Sequence, residues 1–127
     1  MKYTIEKTEK YSLLQLHEEK MTSAIAPDLK SELVKLNAEG VKNIILNLAE
    51  VKYIDSSGLS SILVGNRLCE NEQGMFILTG ASEHVLKLVK ISHLDSILNI
   101  VPTVEESVDA IFMNEIEQNL RQENPEE

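Results

Sequence analysis

Apolar positions along the chain follow two rhythms. Short runs of strand length recur at residues 11–16, 43–48, 75–79 and 98–101, and residues 1–6 add a candidate edge strand. The runs show little polar alternation, most plainly in Asn43-Ile44-Ile45-Leu46-Asn47-Leu48. That composition fits strands covered on at least one face, as at the centre of a parallel sheet.

Helical spacing fills the intervals. Pro27 suits a first helical position, Leu29, Leu33 and Leu36 recur at helical intervals, and Gly40 can take a left-handed stop. A second helix is expected from Ser57 or Gly58 to about Glu72, closed by Gly74, with Leu59, Ile62, Leu63 and Cys69 on or near one face. A third follows Ser82 and carries Val85, Leu86 and Val89. The fourth opens on a capping box, Thr103 followed by Glu106, and its expected buried stripe is Val104, Val108, Ile111, Phe112 and Ile116. The order β-β-α-β-α-β-α-β-α favours a mostly parallel sheet with helical crossovers. Residues 119–127 turn polar and acidic around Pro125 and read as a frayed tail.

A chain of 127 residues suits one domain and leaves no room for two. At this length roughly two-thirds of the unfolded surface can be buried, so no metal or disulfide staple is needed. Twelve basic against 21 acidic side chains give 12 − 21 = −9, which argues against nucleic acid and against anionic membrane surfaces as partners. The charge is unevenly placed. Residues 1–104 carry 13 acidic and 11 basic side chains, a balance of −2, whereas residues 105–127 carry 8 acidic side chains against Arg121 alone, a balance of −7. The single cysteine, Cys69, cannot form an intramolecular disulfide and is read as a small core hydrophobe. The first residues lack the apolar core of a signal peptide, and no run approaches the roughly 20 apolar residues of a membrane span. The expectation is a soluble cytoplasmic protein.

The chemistry of catalysis is hard to find. His17, His84 and His93 are scattered, without an i,i+4 pair or a cysteine pair to complete a metal site. There is no glycine-rich phosphate loop, and Gly58-Leu59-Ser60-Ser61-Ile62 lacks the closing glycine of a nucleophile elbow. We therefore expect no catalytic residues, no cofactor and no metal, and a protein that is not an enzyme.

One segment invites a functional reading: Val51-Lys52-Tyr53-Ile54-Asp55-Ser56-Ser57-Gly58-Leu59, between the 43–48 strand and the second helix. A serine at that helix start lies where free backbone N–H groups and the helix dipole favour negative charge. A phosphoryl group there would be held by the amides and would bring nearly two negative charges to the surface. The plain alternative is an N-cap and nothing more, since Asp, Ser and Gly are what capping needs.

Three pieces together resemble the STAS domain family, best known from bacterial anti-sigma factor antagonists. They are Ile44-Ile45-Leu46-Asn47-Leu48, then Tyr53-Ile54-Asp55-Ser56-Ser57-Gly58-Leu59, and Val85-Leu86-Lys87-Leu88-Val89-Lys90-Ile91-Ser92-His93-Leu94, in which His93 replaces the usual glycine. The segment after the second strand, His17-Glu18-Glu19-Lys20-Met21-Thr22, differs from the Gly-Glu-Leu-Asp that family members often carry. The resemblance implies an α/β, STAS-like single domain over residues 1–117, with a mixed, mostly parallel sheet of four to five strands and about four helices. Residues 118–127 would form the acidic tail.

The implied function is partner switching. Family members bind an anti-sigma factor that is also a serine kinase, which releases the sigma factor it held. The kinase phosphorylates the first serine of the signature and the complex dissolves; a PP2C-type phosphatase resets it. By position, Ser56 is the phosphoacceptor, and Asp55, Ser57, Gly58 and Leu59 shape the docking surface around it. Two other readings within the family are an accessory subunit of a membrane transporter such as a lipid-exporting ABC system, indifferent to Ser56, and a nucleotide-binding module.

Overall fold

The computed structural model describes residues 1–123. In chain order its elements are β1 (Tyr3–Lys7), β2 (Ser12–Leu16), β3 (Lys20–Met21), α1 (Ala26–Ala38), β4 (Ile44–Asn47), β5 (Tyr53–Ile54), α2 (Ser56–Asn71), β6 (Phe76–Thr79), α3 (Glu83–Ile91), β7 (Asn99–Val101) and α4 (Val104–Glu123). Five strands form the main sheet in the order β1-β2-β4-β6-β7. Only β1 runs antiparallel, against β2; the β2–β4, β4–β6 and β6–β7 pairs are parallel. This is the mixed, mostly parallel sheet expected of an α/β chain, with four helices among the described residues.

Alternation along the strands assigns the two faces. Leu14, Leu46 and Leu78 lie in register across β2, β4 and β6 and bury on the side of α1, α2 and α3, against Leu33, Ile62 and Val89 among others. Ile45 and Ile77 point the other way and meet Ile111 of α4 in a smaller cluster. Three helices thus cover one face and one helix covers the other. The strands read as continuous apolar runs because those near the centre are covered on both sides.

Several expectations need correction. The short parallel pair β3–β5 is an additional two-stranded sheet, joining Lys20 to Tyr53 and Met21 to Ile54. Two-residue strands leave no periodicity to read. Helix α2 begins at Ser56 rather than Ser57 or Gly58, because Asp55 supplies its cap. Gln73, with φ 61°, takes the left-handed position after α2 in place of Gly74, whereas Gly40 does take one after α1, at φ 93°. His93 occupies the left-handed region at φ 59°, where glycine is the residue without a steric penalty.

Phe112 and Ile116, expected on the buried stripe of α4, are exposed by 43% and 52%. Of the expected stripe Ile111 is fully buried and Val108 packs beside it, and Ser107 completes the buried line of α4. Ser107 is tolerated there because its hydroxyl donates to the Thr103 carbonyl at 2.8 Å. The α4 start itself is as expected, with the Thr103 hydroxyl accepting from the Glu106 N–H at 3.1 Å. The acidic segment from residue 119 is helical as far as Glu123; the rest of the expected tail, 124–127, lies outside the described residues.

Candidate functional site

The five residues singled out from the sequence meet at the start of α2. Asp55 is the N-cap, in extended backbone (φ −110°, ψ −173°), and its Oδ1 accepts from the Gly58 N–H at 3.0 Å. Ser56 is therefore the first helical residue, and its side chain is exposed. Ser57 is half-buried, and its carbonyl accepts from the Ser61 hydroxyl at 3.2 Å. Gly58 and Leu59 are buried. The surface of the site is made by Asp55, Ser56 and Ser57; Gly58 and Leu59 form its foundation.

Gly58 sets how closely α2 approaches the small sheet. A Cβ at this position would stand 2.2 Å from the Met21 carbonyl oxygen and 2.8 Å from Ile54 Cγ1. No side chain fits there without moving backbone. Ser61, one turn further on, is fully buried and its hydroxyl also lies 3.3 Å from the Ala26 carbonyl at the start of α1. The starts of α1 and α2 are thereby tied together.

The loop that carries the site is held by the β3–β5 pair. Glu19 C=O accepts from the N–H groups of Lys52 at 2.8 Å and Tyr53 at 3.1 Å, and Met21 C=O accepts from the Asp55 N–H at 3.3 Å. The segment 17–22 thus braces the signature from below through the backbone carbonyls of Glu19 and Met21. Beside it, Tyr53 stacks on His84 of α3 with ring centroids 5.1 Å apart and an interplanar angle of 23°. Both rings are exposed, and they extend the polar surface of Ser56 with an aromatic ledge. Nothing local in the sequence signals this contact, because β5 and α3 are far apart along the chain.

The α2 start presents an exposed hydroxyl at the positive end of a 16-residue helix, with a carboxylate next to it. Cys69, on the buried side of the same helix, is no nucleophile: burial pushes its thiol from 9.0 up to about 12. Among the described residues no cluster of three His, Cys, Asp or Glu side chains is placed to hold a metal, and no helix is long and apolar enough to cross a membrane.

Comparison with known proteins places this arrangement. The family model for the STAS domain matches residues 2–107. An anti-sigma-B factor antagonist of Staphylococcus epidermidis is 36% identical over 76 residues, 58% of this chain and 68% of that protein. A crystal structure of an anti-sigma factor antagonist from Mycobacterium paratuberculosis aligns with a TM-score of 0.77 at 17% identity, over 87% of this chain and 92% of the other. The Bacillus cell fate determinant SpoIIAA in its phosphorylated form aligns with a TM-score of 0.68 at 23% identity, over 87% and 99% of the two chains. At these identities the structural likenesses establish the fold alone.

Proposed function

This chain belongs to the STAS domain family, and from that premise we propose that it is an anti-sigma factor antagonist switched by phosphorylation of Ser56. In this reading it works in the cytoplasm and has no catalytic activity of its own. It binds an anti-sigma factor that is also a serine kinase, through the surface of Asp55, Ser56 and Ser57 seated on Gly58 and Leu59. The kinase phosphorylates Ser56 and the complex separates; a PP2C-type phosphatase restores the binding form.

The observation that carries the proposal is the position of Ser56. It is exposed, and it is the first residue of α2 rather than the cap. Capping is done by Asp55, so the Ser56 hydroxyl is free for modification without loss of the helix start. A phosphate there would gain from the helix dipole while adding nearly two negative charges beside the Asp55 carboxylate. Since residues 1–104 carry a balance of only −2, that addition would be a large change in the local field.

The test is binding to the anti-sigma factor kinase recovered by native pull-down with the wild-type protein and identified by mass spectrometry. Ser56→Ala retains binding, whereas Ser56→Asp weakens it by about a hundredfold, the effect of placing an unpaired charge in an interface. Equal binding by the two variants defeats the proposal. Stable capture of a transporter ATPase subunit by both would instead identify an accessory subunit.

A further inference from the structure

The outward face of α4 carries four exposed large apolar side chains that nothing among the described residues covers. Phe112, Met113, Ile116 and Leu120 are exposed by 43%, 58%, 52% and 53%. At 100° per residue, Phe112, Ile116 and Leu120 form one stripe with Met113 beside it, opposite the line through Ser107 and Ile111 that faces the sheet. The helix cannot roll to bury them. Glu115 receives Lys42 Nζ and Asn43 Nδ2, each at 3.2 Å, on one side, and Asn114 Nδ2 donates to the Gln73 carbonyl at 3.4 Å on the other.

The same face is acidic toward its N-terminal end. Glu105 and Asp109 continue the stripe, Glu106 and Glu117 flank it, and all four are exposed. The four apolar residues also lie beyond residue 107, where the family match ends. They are an addition to the part of the chain that the family model describes, and they are separate from the Ser56 surface.

We propose that this face docks a cationic amphipathic helix of a partner protein. Apolar side chains of that helix would cover Phe112, Ile116 and Leu120, and its lysines or arginines would meet Glu105, Asp109 and Glu117. A second copy of this chain is a poorer occupant. Residues 105–127 carry −7 in each copy, so pairing two such faces gathers like charge at the contact.

The experiment titrates the full chain with a leucine–lysine amphipathic peptide of about 18 residues, long enough to span the stripe, and with a leucine–glutamate peptide of the same apolar face. Amide shifts are followed by NMR and the oligomeric state by light scattering. The expected result is a monomer that binds the lysine peptide, with the shifts centred on residues 112–120. Ile116→Ser lowers the affinity about tenfold, the value of one partly buried aliphatic contact, and Asp109→Asn lowers it severalfold. Ser56→Asp leaves it unchanged, which separates this surface from the switch. Undiminished binding by Ile116→Ser, equal binding of the glutamate peptide, or a dimer dissociated by Ile116→Ser would each overturn the proposal.

Discussion

A methyl group at residue 58 has nowhere to go, since the Met21 carbonyl lies 2.2 Å from where it would stand. Alanine is otherwise the better helix former, by about 1 kcal/mol. The clash is with backbone, so it cannot be relieved by a side-chain rotation and α2 must withdraw from β3. Gly58→Ala should therefore destabilise the domain by about 1–3 kcal/mol, the usual cost of overpacking, as read from urea unfolding. It should also weaken partner binding, because Ser56 rides on the displaced turn. Asp55 and Ser56 differ from Gly58 in this respect: one caps and the other is exposed, so Ser56→Asp changes the surface without disturbing the packing.

Among the elements, α4 separates sequence pattern from environment most sharply. Apolar residues at 104, 108, 111, 112, 116 and 120 permit two adjacent stripes along one helix, and spacing alone does not say which is buried. The fold selects the line of Ile111 and Ser107, since a serine can bond back to its own helix and the sheet needs only a narrow ridge between Ile45 and Ile77. The neighbours Ile111 and Phe112 should respond very differently to truncation. Ile111→Ala removes a fully buried side chain and should cost about 2–5 kcal/mol, whereas Phe112→Ala should stay within about 0.5 kcal/mol. Thermal unfolding of the two variants checks the assignment. Equal losses would mean that α4 is rotated from the orientation described. The other helices were more legible: the leucines of α1 at 29, 33 and 36 are all fully buried, as their spacing requires.

For the molecule as a whole, the legible part was what repeats. Each main-sheet strand is a run of apolar residues, each crossover carries a helical pattern, and the parallel order follows from their alternation. The candidate site was legible as a motif, because Asp-Ser-Ser-Gly-Leu is contiguous and Asp55 caps as that order suggests. Its surroundings were not. The brace from Glu19 and Met21 and the Tyr53–His84 stack join segments that are distant in the chain, through backbone groups or single side chains that leave no periodic trace. The −9 charge is also a composite: a nearly neutral body carries the site, and an acidic last helix carries the rest.

The two sheets also differ in extent, five strands against two. The five-stranded sheet has a buried centre in β2, β4 and β6, while the β3–β5 strap is two residues long and held by a few amides on its edge. Opening the strap breaks few hydrogen bonds and leaves the main ladder intact, but it lifts the fully buried Met21 and Ile54 from the core, so its cost lies between that of a fraying terminus and global unfolding. In hydrogen exchange, the amides of Tyr53 and Asp55 should exchange orders of magnitude faster than those of Ile44 and Leu48, which bond across β4 and β6. Such an opening would release the backbone just ahead of Ser56 while the rest of the domain stays folded, and its frequency would cap the rate at which an enzyme needing an extended strand could reach that serine.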